Sequence, residues 1–190
     1  MKSINITYFD EPGNKNIDDV IKLSVQAAIK LGIKKIAIFA ASMLSIYKIK
    51  DAINDMDIEV IVTTYGHGRK FRINSEIEEY VIPEVSKKEI KTEIIDLGFT
   101  YIQGGLPFEN ILSSTGDNSA EMIVSALNLI SKGLSLCISA AVMSYENGYI
   151  DEEEKIIAIS GDTSVVVTPS SKRDLFNDKF RIHQIICKPI

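Results

Sequence analysis

Two stretches of the chain are apolar almost without interruption: residues 34–41, reading KKIAIFAA, and residues 58–65, reading IEVIVTTY. A strand tolerates such a run only when both of its faces are covered, which is the situation of a parallel strand between two layers of helices. The intervening segments have helical period. Asn16 precedes Asp18 and Asp19, then Val20, Ile21, Leu23, Ala27, Ala28 and Leu31 follow at helical spacing until Gly32, so a helix capped by Asn16 is predicted. Ser42 caps a second helix running to about Met56, and a third runs from about Ser86 to Leu97 with Gly98 as its stop. With a first strand over 4–8 and a short one over 99–103, strands and helices alternate in a βαβαβ rhythm. Right-handed crossovers then demand a parallel sheet with helices on both sides, and Ile36, Ile38, Val60, Val62, Ile157 and Ile159 should be buried in its central strands.

The second half is less regular. An amphipathic helix opens at Asp117, Asn118 or Ser119 and continues to about Ser131, with Ile123, Ala126, Leu127 and Ile130 on its inner face. Residues 133–148, GLSLCISAAVMSYENG, are apolar on every side; they read as a buried helix packed on the sheet or against a second subunit, although the first six residues also fit a strand. Two strand-like runs, 155–160 and 164–168, flank Gly161-Asp162-Thr163 and predict a hairpin. The last run, 181–188, alternates polar with apolar residues, as a half-exposed edge strand does. The expected fold is one three-layer α/β/α Rossmann-like sandwich, mostly parallel, with antiparallel strands at one side.

Composition narrows the functional classes. The 190 residues carry a net charge of -5, so no global basic field exists to hold a nucleic acid or an anionic membrane surface. No apolar run approaches the ~20 residues of a membrane span, and the first residues lead straight into Asp10 and Glu11 rather than a signal segment, so a cytoplasmic protein is expected. Cys137 and Cys187 lie in apolar surroundings without partners at metal-ligand spacing, which predicts buried, reduced thiols and no metal.

Three blocks carry a family resemblance: Tyr8-Phe9-Asp10-Glu11-Pro12-Gly13-Asn14-Lys15-Asn16; Lys132-Gly133-Leu134-Ser135-Leu136-Cys137-Ile138 with Ala140-Ala141-Val142-Met143; and Ile185-Ile186-Cys187-Lys188-Pro189. In order and spacing they resemble the stand-alone archaeal and bacterial proteins similar to the C-terminal α/β domain of pyruvate kinase. That resemblance implies the fold of that domain without the catalytic barrel, hence no pyruvate kinase activity, and a phosphorylated ligand, with flavin mononucleotide (FMN) as the associated cofactor. The sequence departs from the family where a ligand would sit. Ala40-Ala41-Ser42-Met43-Leu44 replaces a turn rich in Ser, Thr and Gly, and the later glycine-rich loop is cut down to Ser160-Gly161-Asp162-Thr163.

The candidate site residues lie where parallel strands end, since open α/β sheets bind ligands outside the carboxyl ends of their strands. Thr64, Gly66, His67, Gly68, Arg69 and Lys70, followed by Arg72, put cations beside glycines that admit close backbone approach. The plain alternative is a solvated loop. Asp10 and Asn16 would reach a sugar or ribityl hydroxyl from the first loop, Ser42 would present a helix N-terminus to an anion, and Gly104 would start a loop over a flat ring. Gly161 and Thr163 complete the set, with a simple hairpin turn as their alternative. His67 has no nucleophile or carboxylate assignable to it, and His183 reads as a surface or edge residue. Binding of a small anionic or phosphorylated metabolite is the reading this supports. A flavin-dependent or phosphate-handling enzyme, or a relative that has lost its ligand, stands as the alternative.

Overall fold

The computed structural model of the chain describes residues 4–72, 80–108 and 119–190. Its main sheet has seven strands: β1 (Thr7–Phe9), β2 (Lys35–Phe39), β3 (Glu59–Tyr65), β6 (Thr100–Gly104), β7 (Ile156–Ile159), β8 (Ser164–Thr168) and β9 (Arg181–Pro189), in spatial order β1-β9-β8-β7-β2-β3-β6. Only β8 runs against the others. Two residues of β4 (Phe71–Arg72) and two of β5 (Tyr80–Val81) form a separate antiparallel ladder. Helices α1 (Ile17–Leu31), α2 (Met43–Ala52) and α3 (Lys88–Asp96) cover one face, around a core that includes Ile21, Ile36, Ile38, Ile46, Val60, Val62, Ile94, Ile157 and Ile159. The other face is covered by α5 (Leu134–Glu146), with α4 (Ser119–Asn128) packed on it. The architecture is a three-layer α/β/α sandwich.

All six aliphatic residues expected in the central strands are buried. β2 and β7 make the middle of the parallel sheet, Ile36 facing Ile157 and Ile38 facing Ile159 in register, which is why these runs have no polar face. The 133–148 segment is a helix, and ten of the thirteen residues of α5 are buried. The hairpin of β7 and β8 forms as the Gly-Asp turn predicts.

Several boundaries differ from expectation for local reasons. β1 begins at Thr7 rather than Ile4, because its ladder meets only the last three residues of β9. By the same ladder β9 is not an edge strand: β1 lies outside it, and the alternating pattern reflects Arg181, Ile182 and His183, which β1 does not reach. α2 stops at Ala52, four residues before Met56, where the Asn54-Asp55 turn takes Asp55 to a positive φ of 59°. Residues Glu84–Ser86 form a 3-10 turn, so α3 starts only at Lys88. In α4, Ile123 and Leu127 are half-buried, while Ala126 and Ile130, expected on its inner face, are exposed. Asp117 and Asn118, two of its expected starts, fall outside the described residues.

Candidate functional site

Because six strands of the main sheet are parallel, the loops after them gather on one edge. The chain progresses from β2 to β3 to β6 and then returns to the opposite side of β2 as β7, so the strand order reverses between β2 and β7. That is the place where open α/β sheets leave a crevice. On its β7 side the turn after the strand is tied into internal hydrogen bonds. Asp162, buried in the β7–β8 turn, accepts the Gly13 N–H through Oδ2 at 2.8 Å and the Thr163 hydroxyl through Oδ1 at 2.9 Å. Thr163 also shares a hydrogen bond with Ser131 at 2.6 Å, and the carbonyl of Thr163 accepts the Cys137 thiol at 3.3 Å. Gly161 is pressed against Asn14: a methyl group there would lie 2.1 Å from the Asn14 Oδ1. Gly161 and Thr163 are thus parts of a closed polar plug that ties the β7–β8 turn to the loop before α1 and to the start of α5.

The other expected site residues spread along the edge. From β1 to β6 is six strand spacings, about 29 Å at ~4.8 Å each, so no compact ligand touches both Asp10 and Gly104. Asp10 is exposed, and the Asn16 side-chain amide donates to the Glu11 carbonyl at 2.7 Å. Asn16 does sit at the N-cap of α1 and Ser42 at that of α2, yet neither side chain caps its helix. At α2 the first N–H, from Met43, is taken instead by the Glu84 carboxylate through Oε2 at 2.8 Å. An internal anion therefore stands where a ligand phosphate was expected. Thr64 is fully buried, its hydroxyl donating to the Ala40 carbonyl at 2.8 Å and meeting the Ser86 hydroxyl at 3.2 Å, so it joins β3 to its neighbours rather than facing a ligand.

What remains open lies over the carboxyl ends of β2 and β3. A pocket of about 470 Å³ is lined by Ala41, Tyr65, Phe71, Val81, Ile82, Pro83, Glu84 and Lys87. Its volume falls within the ~300–1,000 Å³ usual for small-molecule sites. Tyr65 packs edge-on to Phe39 on one side and to Phe71 on the other, with ring centroids 4.8 and 4.7 Å apart, and Arg69 lies 5.6 Å above the Phe71 ring. Gly66, His67, Gly68 and Lys70 form the exposed turn leading from Tyr65 to Phe71, with Gly68 at a φ of 77°. Arg72 lies in β4 opposite Tyr80, but its side chain falls outside the described residues. Gly104 starts the adjacent loop, and a methyl group on Gly66 would come within 3.5 Å of its carbonyl oxygen. The 3-10 turn carrying Glu84 is anchored from below: Tyr101 donates to the Val85 carbonyl at 2.8 Å and Gln103 to the Ser86 carbonyl at 2.7 Å.

A slightly larger hollow of about 510 Å³ lies between α1 and α2, but its charges are partly spent on each other, Lys48 pairing with Asp18 at 2.6 Å, and no strand end points into it. We assign the candidate site to the β2–β3 pocket on those grounds. The sequence singled out the turn between Tyr65 and Phe71, which both line the pocket, and did not single out Glu84, Lys87 or the aromatic wall. Only the Pro-Glu pair before a helix hinted at Glu84, and nothing in the sequence brings residue 84 to residue 43. Among the described residues no group of three or more His, Cys, Asp or Glu is placed to hold a metal ion. Both cysteines are buried, burial raising the Cys137 thiol well above its ordinary range and pushing Cys187 up to about 12. They lie on opposite faces of the sheet. His183 is exposed on β9 and shares a hydrogen bond with Thr168 at 2.8 Å, its pKa lowered first by burial and then by Lys155 and Arg181. No helix among the described residues is long and apolar enough to cross a membrane. No protein-family model matches the chain.

Proposed function

We propose that the protein binds a small planar, anionic metabolite in the β2–β3 pocket. The carrying observation is the combination of an aromatic wall, Tyr65 and Phe71, with cations at the rim, Lys87 in the lining and Lys70 in the adjoining turn. A flat ring gains from the apolar and aromatic surface, and a phosphate or carboxylate gains from the ammonium groups. Flavin mononucleotide has both parts. It is also the cofactor implied by the resemblance to proteins like the pyruvate kinase C-terminal domain, a kinship that remains part of this proposal. The Glu84 cap on α2 moves the expected position of the phosphate from Ser42 to the Lys70 and Lys87 side. Binding requires only this shape and charge.

Titration of the purified protein with flavin mononucleotide, followed by quenching of flavin fluorescence, tests the reading. Saturable quenching that weakens in Lys87→Ala and in Phe71→Ala is expected. Absence of binding by flavin mononucleotide and by the nucleoside monophosphates, in a folded protein, overturns it.

A further inference from the structure

The pocket contains opposite charges that do not satisfy each other. Glu84 and Lys87 both line it, one helical turn apart around the start of α3, and no ion pair within 4 Å joins them. The Glu84 carboxylate is half committed. Oε2 accepts the Met43 N–H, which anchors the side chain at the end of α2, and among the described residues Oε1 takes part in no hydrogen bond. An anchored carboxylate with one oxygen to spare is an oriented acceptor, because the bond that caps the helix also restricts the rotamer of the side chain. Resting on the pocket assignment above, we propose that Glu84 is a specificity-determining residue: the ligand is a planar heterocycle whose edge carries a ring N–H, donated to Oε1 of Glu84, with its anionic substituent directed to the Lys87 side.

A ring edge that presents only an acceptor would set its lone pair against a carboxylate, and one of the two would lose water without gaining a partner. Conversely, the ring N–H of a guanine or an isoalloxazine meets a charged acceptor, the stronger kind of hydrogen bond. The neighbouring groups agree with this polarity. The wall that would face the ring is apolar or aromatic, through Ala41, Tyr65, Phe71 and Val81, so the edge contact at Glu84 is where one base can be told from another.

The test uses the full chain and three probes that share a phosphate: guanosine monophosphate and flavin mononucleotide, which carry a ring N–H, and purine riboside monophosphate, whose base carries neither a ring N–H nor an amino group. Dissociation constants are measured by calorimetry for the wild type and for Glu84→Gln. Gln keeps a neutral oxygen to accept the Met43 N–H while turning an amide NH2, a donor, toward the pocket, so α2 stays capped and the recognition polarity reverses. The wild type should prefer guanosine to purine riboside monophosphate about tenfold or more, as expected of one hydrogen bond to a charged group. In Glu84→Gln that ratio should collapse to within about threefold, mainly by weaker binding of guanosine and flavin monophosphates, as the scale of one such bond requires. Thermal unfolding of both proteins establishes that the variant is folded. If the probes bind but the ratio is near one in the wild type, or is unchanged in Glu84→Gln, this inference is wrong while the pocket assignment stands. If no probe binds the folded wild type, the pocket assignment falls and this inference with it.

Discussion

Gly133 offers the sharpest test of the polar plug between the β7–β8 turn and α5. Its backbone is ordinary helical, φ -77° and ψ -15°, so nothing about conformation asks for glycine there. Space does. A methyl group on its Cα would lie 2.3 Å from the Ser160 Oγ, 2.4 Å from the Asp162 Oδ1 and 2.5 Å from the Thr163 Oγ1. These are ends of buried side chains held by hydrogen bonds, and they cannot retreat without breaking bonds such as the 2.9 Å Thr163–Asp162 contact. Overpacking costs roughly 1–3 kcal/mol, and a broken buried hydrogen bond roughly 1–3 kcal/mol more. The loss of glycine's freedom in the unfolded chain returns only about 0.4–1 kcal/mol. A net destabilisation of about 3 kcal/mol is expected for Gly133→Ala, lowering Tm by about 6–12 °C in a chain of this size. Circular dichroism during heating, with urea unfolding as a second measure, reads it. Ser160→Ala removes the nearest oxygen at the expense of a 3.5 Å hydrogen bond to the Thr163 carbonyl and a contact with the Cys137 thiol, so the double variant should recover part of the loss. A Gly133→Ala protein that melts within about 2 °C of the wild type, on the scale of surface substitutions, would refute the close approach.

Ile38, fully buried between the two parallel neighbours of β2, should lose about 2–5 kcal/mol as Ala, and Ile38→Asp should leave no folded protein by circular dichroism. Removing the carboxylate in Asp162→Ala orphans the Gly13 N–H, so amide exchange at Gly13 should accelerate at least tenfold while the central strands stay protected, a scale set by the ~1–3 kcal/mol value of such a bond. Both thiols are held protonated by burial, so neither should react with a thiol reagent at pH 8 until denaturant is added, when both do. The sign follows from the raised pKa values. Above about pH 9 the unfolded chain binds fewer protons than the folded one, so stability should fall as pH rises from there toward 12, and urea midpoints across that range should show the slope diminished in Cys187→Ala.

The fold was legible because its strongest signals are local. KKIAIFAA, IEVIVTTY and the all-apolar 134–143 segment each need enclosure on every side, and only a three-layer α/β arrangement with a parallel centre supplies it. Boundaries were less legible where pairing decides them. The extent of β1 depends on which residues of β9 it meets, and the 3-10 turn at Glu84–Ser86 depends on Tyr101 and Gln103, fifteen or more residues away. The candidate site divides the same way. The sequence placed a basic, glycine-bearing turn after β3, and the residues that flank that turn, Tyr65 and Phe71, line a pocket. It could not show that the Asn16 and Ser42 side chains do not cap their helices, or that Thr64 and Thr163 spend their hydroxyls internally.

From the sequence alone came the layered α/β class, the central strands, the buried thiols and the clustering of loops at one edge, because apolar run length and helical period are set by neighbours within a few residues. Tertiary structure alone decided which part of that edge is open. The strand order puts the reversal between β2 and β7, Asp162 ties the turn after β7 to the Gly13 N–H, and the turn before α3 carries Glu84 forty-one residues back to the first N–H of α2. Both outcomes hinge on single buried or anchored carboxylates finding backbone N–H partners far along the chain. A carboxylate in the sequence carries no mark of the partner it will meet; the cost of leaving a buried donor unpaired makes the choice only once the chain is folded.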